Sequence, residues 1–208
     1  MLNRATPVVK NLIIINALVF LAQNAMPGLE KTFIGHYPLS PGFQPWQVIS
    51  YMFMHGSLTH LFFNMFAVFM FGSQLERVWG SKRFLQFYML TGIGAFFIFQ
   101  LTVGLELYNI YGVLSLDQDI GLVLGASGSV FGLLLGFGML FPNTQLMLLF
   151  PPIPIKAKYF VLGYGLIELS MAFSNNPGDN VAHLAHLGGM LIGFILIKKW
   201  QNSRSNFY

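Results

Sequence analysis

Residues 120–142 read IGLVLGASGSVFGLLLGFGMLFP and contain no charged side chain. A run of about 20 apolar residues crosses a bilayer as a helix, so this stretch predicts a membrane span. Within it, GASGSVFG at 125–132 places small residues where larger apolar ones would favour a helix and fill a core better. Helix formation and core filling therefore do not explain the small residues at these positions.

Five further apolar stretches accompany this one, in a chain of 208 residues that is 55% hydrophobic and only 9% charged. Such a composition is typical of a membrane protein. The first stretch has no small-x-small cleavage site after it, so we expect it to be retained and not removed as a signal peptide. We predict an all-α, polytopic fold in a single transmembrane domain, 1–208, with six spans at 8–25, 60–78, 84–104, 124–142, 158–174 and 181–198.

Lysine and arginine are distributed unequally between the two sides that six spans define. All of them except Lys31 fall on the side that carries both termini. Cytoplasmic loops hold the positive excess in membrane proteins, so we predict cytoplasmic termini in a multi-pass protein of the cell (inner) membrane. The net charge of +4 then reflects topology and contact with anionic membrane lipids, and it does not indicate nucleic-acid binding. The absence of cysteine excludes a thiolate nucleophile.

Two connections between spans depart from simple turns. Residues 32–59 contain Pro38, Pro41 and Pro45 among several aromatics, a composition that predicts a long loop lying along the outer membrane surface. Residues 121–126 are apolar but include glycines that weaken a helix. We predict that they dip into the protein as a loop, with span four starting near Ser127.

Small residues recur four apart, and so on one helical face, in two of the spans. Faces of this kind let two membrane helices approach closely. Helix packing alone accounts for the glycines, but a serine begins the first face and a histidine lies within the second. The small residues are Gly128, Gly132 and Gly136 in span four and Ala185, Gly189 and Gly193 in span six.

That serine and that histidine are candidates for chemistry. With span six starting near Val181, His186 lies about 8 Å below the outer boundary. A hydrogen bond of about 3 Å between Ser127 and His186 requires helices that nearly touch. A serine activated by a histidine base is the arrangement of acyl-transfer enzymes. In span two, His60 and Asn64 lie four apart on one face, and with the backbone N–H of Ser127 they are candidate hydrogen-bond donors to an oxyanion.

Four motifs together resemble the rhomboid family of intramembrane serine proteases: GASGSVFG at 125–132, HLFFN at 60–64, AHLGGMLIG at 185–193 and LERVWG at 75–80. The resemblance implies hydrolysis of peptide bonds in transmembrane protein substrates at or near the membrane surface, and the predicted topology places the site on the extracytoplasmic side. It implies that Ser127 is the nucleophile and His186 the general base of a dyad, with His60, Asn64 and the amide of Ser127 as the oxyanion hole. We expect neither a metal nor a cofactor, and the oligomeric state stays open.

The resemblance also implies supporting roles near the nucleophile. Gly125 and Gly128 shape the turn that carries the serine, and Phe131 stacks on the catalytic imidazole. One departure concerns the first loop, where many members have a Trp-Arg pair and this chain has Trp46-Gln47. A glutamine lacks the charge and the fork of a guanidinium, which leaves the anchoring of that loop open.

Three polar residues near the dyad have competing interpretations. Ser129 is the rival nucleophile, but two residues further along a helix it points about 200° away from Ser127. His183 lies one turn before His186, where a structural or substrate-contact role is favoured over that of a base. Glu168 is the only acid within spans four to six. A neighbouring helix can satisfy it, or it can orient His186 as the third member of a triad.

Two other functions compete with proteolysis. One is a metal- or haem-binding transporter that uses His60, His183 and His186 as ligands, although no HExxH motif or intramembrane carboxylate cluster supports it. The other is a catalytically inactive rhomboid-like protein that only binds membrane helices, against which the intact Ser127 and His186 argue. For the protease, span five and the loop 174–180 are candidate gates, since proline and glycine ease movement there.

Overall fold

The computed structural model describes residues 5–147, 152–174 and 182–205. Within these ranges the chain is mainly helical, so the all-α prediction is confirmed, with one two-stranded hairpin as an addition to it. Strands β1 (Gln145–Met147) and β2 (Pro154–Lys156) of that hairpin pair antiparallel. The helices are α1 (Pro7–Ala25), α2 (Leu29–Phe33), α3 (Gln47–Ser50), α4 (Leu58–Ala67), α5 (Ser73–Trp79), α6 (Ser81–Tyr111), α7 (Ser127–Leu140), α8 (Ala157–Ala172) and α9 (His183–Ser205), and a π-helical stretch (Val68–Gly72) joins α4 to α5.

Six helical segments coincide with the six predicted spans. Three of them, α1, the continuous Leu58–Trp79 and α6, are long and apolar enough to cross a membrane by length and composition. Helix α7 is shorter, because its 14 residues rise only about 21 Å, against about 30 Å for the hydrocarbon core. It begins at Ser127, where the glycines of the preceding loop predict the start of the helix, and three residues after the apolar span that begins at 124. The predicted start of span six at 181, and residues 175–180 of the candidate gate, lie outside the described residues.

The segment 121–126 enters the protein as a non-helical loop, as the sequence predicts. Polar backbone groups inside an apolar bundle need partners, and the first loop supplies them. Val123 exchanges two backbone hydrogen bonds with Gly35, at 2.8 and 2.9 Å, and the N–H of Gly125 donates to the carbonyl oxygen of Tyr51 at 2.9 Å. The loop therefore reaches the first residue of α7 with three of its backbone groups paired to the first loop.

The first loop is anchored from within by Gln47. This side chain is completely buried. Its Nε2 donates to the carbonyl oxygens of Thr32 and Gly42, both at 3.2 Å, and its Oε1 accepts from the backbone N–H of Gln44 at 3.1 Å. Gln47 thus anchors the first loop without the charge of an arginine, because its neutral amide binds three backbone groups.

Small residues determine how closely α7 approaches its neighbours. A side chain on Gly189 of α9 would overlap the backbone carbonyl oxygen of Gly128 in α7, so only glycine permits this contact. One turn further along, a Cβ added to Gly193 would lie 3.4 Å from Cα of Gly132. Gly132 also faces α6, because its added Cβ would lie 2.8 Å from Cβ of Thr91. The small face of α7 thus serves two neighbouring helices.

One end of the bundle gathers the start of α1, the α5–α6 turn and the end of α9. Glu76 accepts hydrogen bonds from the backbone N–H of Val8 at 3.0 Å and from the hydroxyl of Ser81 at 2.6 Å. The guanidinium of Arg83 lies 4.8 Å from the ring centroid of Trp200. The basic α5–α6 turn therefore sits at the end where α1 begins.

Candidate active site

Ser127 lies at the point where the buried loop turns into α7. Gly125, two residues earlier, has φ of +116°, a conformation that other residues rarely adopt. A Cβ there would also lie 2.7 Å from Cε1 of His60. The glycine is required by both its backbone and its surroundings, and it lets the chain pass directly beside the His60 ring before Ser127 starts the helix.

Ser127 and His186 form a hydrogen bond between two different helices. Oγ of Ser127 lies 2.8 Å from Nε2 of His186. The contact depends on the glycine pair one residue after Ser127 and three residues after His186, where Gly189 lies against the carbonyl of Gly128. His186 is only 8% exposed, so the imidazole is held in an environment where its polar atoms need partners.

The ring of Phe131 covers one face of that imidazole. The centroids of Phe131 and His186 are 4.3 Å apart and the planes differ by 8°, which is a stacked arrangement. Phe131 follows Ser127 by four residues, so it lies on the same face of α7 one turn below. Its stacking limits rotation of the imidazole about its own axis.

Potential oxyanion donors converge beside Gly125. The atom closest to its Cβ position after the His60 ring is Nδ2 of Asn64, at 3.8 Å. Asn64 is 5% exposed, and its Nδ2 has no hydrogen-bond partner among the described residues. The helical ladder of α7 begins with Val130 N–H donating to the carbonyl of Ala126, so it does not use the N–H of Ser127. The site thus offers an unpaired amide beside Gly125 and a helix N-terminus at Ser127.

Glu168 of α8 completes a chain of hydrogen bonds behind His186. Its Oε2 lies 2.9 Å from Nδ1 of His186 and 2.6 Å from Nδ1 of His183. All three side chains are less than 10% exposed. Of the two roles that the sequence leaves open for Glu168, satisfaction by a neighbouring helix and contact with His186, the structure combines both. His183 is thus buried against the carboxylate that also contacts His186.

Two further polar residues, the rival nucleophile Ser129 and the histidine just before α4, His55, are buried away from solvent. Oγ of Ser129 donates to the carbonyl oxygen of Tyr88 at 2.7 Å, and the side chain is almost completely buried. His55, just before α4, is completely buried, and this burial lowers the pKa of its imidazole to about 4. Neither residue is presented to a substrate in the way that Ser127 is.

The ligand set of the transporter hypothesis is not assembled. Across the described residues, the metal-capable side chains that come together as a group of three are Glu168, His183 and His186. His60 is not among them and lies instead beside Gly125. Glu168 supplies a carboxylate that lies outside the predicted set of His60, His183 and His186.

The chain is similar to several known sequences. Residues 42–200 match the family model described as the Rhomboid domain. Identity is 31% over 157 residues to the putative rhomboid protease YdcA of Bacillus subtilis, covering 74% of this chain and 68% of that protein. It is 29% over 170 residues to the Rhomboid protease AarA of Providencia stuartii, covering 77% and 57%. RHOMBOID-like protein 4 of Arabidopsis thaliana is also 29% identical over 170 residues, which are 79% of this chain but 38% of the plant protein, so the chain spans less than half of that relative's length.

Proposed function

The chain belongs to the rhomboid family, and on that premise we propose that it is an intramembrane serine endopeptidase with Ser127 as nucleophile and His186 as general base. The observation that carries the proposal is the 2.8 Å hydrogen bond between Oγ of Ser127 and Nε2 of His186. A hydroxyl and an imidazole buried together in an apolar bundle are costly unless they serve each other. Paired in this way, they are the starting arrangement for nucleophilic catalysis.

The reaction is an acyl transfer in two halves. Oγ of Ser127 attacks the carbonyl carbon of the scissile bond while Nε2 of His186 takes the hydroxyl proton. The charge that collects on the carbonyl oxygen is stabilised by Asn64, His60 and the N–H of Ser127, and removal of a single such donor costs about 3–4 kcal/mol. Collapse of the intermediate breaks the C–N bond, and His186 gives its proton to the amine. A water molecule then attacks the ester carbonyl carbon while His186 takes its proton. Collapse of this second intermediate breaks the bond between the acyl carbon and Oγ of Ser127, and His186 gives the proton to Oγ, which releases the carboxylic acid and restores the enzyme.

The proposed substrates are transmembrane proteins. Helix α7 rises about 21 Å, so when its far end reaches one membrane surface its first residue lies within the hydrocarbon layer below the other. A peptide bond reaches Ser127 there only if it comes from a segment that enters the membrane and unwinds locally. Membrane lipids are the other proposed partners, and they contact the exposed apolar side chains of the helices.

The proposed orientation has both termini in the cytoplasm and the site opening to the extracytoplasmic side of the cell membrane. It is supported by the charge distribution, because Lys10, Arg77, Lys82 and Arg83 belong to the bundle end where α1 begins. The far end of α7 lies at this basic end, because the Cβ position of Gly136 is 3.3 Å from the Trp79 ring of α5. Ser127, at the first residue of α7, therefore lies toward the opposite end. Positive residues of this density favour the cytoplasmic face.

Covalent labelling by a fluorophosphonate in detergent or liposomes tests the nucleophile. We expect labelling of the wild-type chain, and loss of labelling in Ser127→Ala and in His186→Ala. Ser129→Ala is the matched control, because it removes a hydroxyl two residues away that bonds to a backbone carbonyl, and it should label like the wild type. Labelling that survives in Ser127→Ala, or a folded wild-type chain that never labels, would contradict the protease and favour the non-catalytic binder.

A further inference from the structure

We propose that Glu168 is a positioning residue that holds His186 in the tautomer needed to accept the proton of Ser127, so that the site works as a Ser–His–Glu triad and not as a dyad. The inference rests on the proposed function, because it assigns Ser127 and His186 the roles given above. It adds a third residue, from a third helix, to the reaction.

The tautomer follows from one shared oxygen atom. Oε2 of Glu168 lies within hydrogen-bond distance of Nδ1 in both His186 and His183. An ionised carboxylate only accepts hydrogen bonds, so both Nδ1 atoms must carry a proton. A neutral imidazole that carries its proton on Nδ1 has its lone pair on Nε2. In His186 that lone pair faces the hydroxyl of Ser127, at 2.8 Å, which is the direction that a general base requires.

Burial gives this arrangement its strength. Glu168 is 7% exposed and the two histidines are each 8% exposed, so water contributes little to solvating the carboxylate. Two N–H donors replace that water and keep the acid ionised where an unpaired charge would be costly. When His186 takes the proton from Ser127, the resulting cation lies 2.9 Å from a carboxylate oxygen, which stabilises it.

His183 and His186 are three residues apart on α9 and therefore face α8 together. Nδ1 of His183 lies 2.6 Å from Oε2 of Glu168, the oxygen that also contacts His186. His183 therefore fixes the rotamer of Glu168, and it affects His186 only through that carboxylate. The T-shaped contact of the two rings, with centroids 6.2 Å apart, leaves room for the acid between them. His183 thus acts through Glu168.

A bound metal is the competing explanation for this cluster. Ligand atoms around a tetrahedral zinc ion lie roughly 3.3 Å apart, since each is about 2.0–2.1 Å from the metal. The separations of 2.6 and 2.9 Å between oxygen and nitrogen are instead those of hydrogen bonds. The donors and the acceptor are turned toward one another, as the triad requires.

The first experiment compares the rate of fluorophosphonate labelling in Glu168→Gln and the wild type, separated into the maximal rate and the concentration for half-maximal rate. Glutamine keeps the shape but loses the charge, so we expect the maximal rate to fall by about 10²-fold or more, with little change in the concentration term. Glu106→Gln is the matched control, because it makes the same chemical change at an exposed position of α6 and should label normally.

The results separate the two proposals. Failure of the wild-type chain to label at Ser127 would overturn the proposed function, whereas wild-type labelling in folded Glu168→Gln would overturn only the triad. Loss of labelling in wild type treated with 1,10-phenanthroline, restored by zinc, would replace the triad by a metal site. An effect confined to the concentration term would assign Glu168 to substrate binding and overturn its positioning role.

The second experiment needs no variant of Glu168 that folds. Nitrogen NMR of wild-type chain with ¹⁵N-labelled histidine, compared with His186→Ala for assignment, reports which ring nitrogen of His186 is protonated in its neutral form. We expect a protonated Nδ1 and an unprotonated Nε2. The opposite tautomer would overturn the inference even if every variant is inactive.

Discussion

Gln47 shows how a single uncharged side chain can replace a stronger anchor. A guanidinium would offer a charge and a rigid fork, whereas an amide offers both a donor and an acceptor. In the buried first loop, the ability of an amide to donate and accept matters more than charge, because Gln47 must satisfy two carbonyls and one N–H at once. The missing charge is visible in the sequence, whereas the need for an acceptor at this position arises only in the folded loop.

Removing this amide should destabilise the protein without touching the proposed catalytic residues. In Gln47→Ala, the carbonyl of Gly42 and the N–H of Gln44 lose their partner, while the carbonyl of Thr32 keeps Nε1 of Trp46 at 3.1 Å. A buried polar group left unpaired costs about 1–3 kcal/mol, so we expect the free energy of unfolding to fall by about 2–3 kcal/mol. Unfolding in mixed micelles with increasing SDS measures it.

The matched control is Gln44→Ala, in which an exposed side chain is removed and the backbone N–H remains. It should unfold at the wild-type SDS fraction. Equal stability of Gln47→Ala and Gln44→Ala would mean that solvent, and not Gln47, satisfies the loop.

Between elements, the spacing of α7 and α9 controls the site. Gly189 lies against the carbonyl of Gly128, adjacent in sequence to Ser127, so even one methyl group there must move one helix away from the other. A displacement of about 1 Å in an active site can cost 10²-fold in rate. We expect Gly189→Ala to lower the maximal rate of fluorophosphonate labelling by about that factor, measured per folded molecule.

Gly163 on α8 provides the control for this change. No atom lies within 4 Å of its Cβ position, so Gly163→Ala adds the same methyl group to a helix without meeting a neighbour. It should label at the wild-type rate and gain up to about 1 kcal/mol in stability from the better helix propensity of alanine. Comparable losses in both variants would show that glycine content in general, and not the α7–α9 contact, sustains the site.

Helix faces also explain what the sequence could and could not predict. The spacing of small residues predicts that α7 and α9 approach closely, and the glycines at 121 and 125 predict that the helix starts at Ser127. The contact of Glu168 with His183 and His186 depends on which turn of α8 packs on α9, and no stripe in α8 indicates that. Likewise the contact of Gly132 with Thr91 depends on a third helix, whose position follows from tertiary packing alone.

For the molecule as a whole, its two ends differ in charge and in chemistry, and the proposed orientation follows from that difference. The basic end holds the start of α1, tied by Val8 to Glu76 of α5. Helix α1 has 19 residues and rises about 28 Å, so α2, which follows it, lies near the opposite end. Lys31 in α2 and Lys82 at the start of α6 are both exposed and therefore mark opposite ends of the bundle.

The absence of native cysteine makes these two lysines direct reporters of orientation. In intact cells, a membrane-impermeant maleimide should label Lys31→Cys and should label Lys82→Cys only after the membrane is permeabilised. The two variants are matched, since each replaces an exposed lysine by cysteine outside the proposed site. Labelling of Lys82→Cys in intact cells, with Lys31→Cys protected, would place the termini outside the cell and the Ser127 site on the cytoplasmic side. The positive-inside bias of about ten basic residues would then have failed to set the topology.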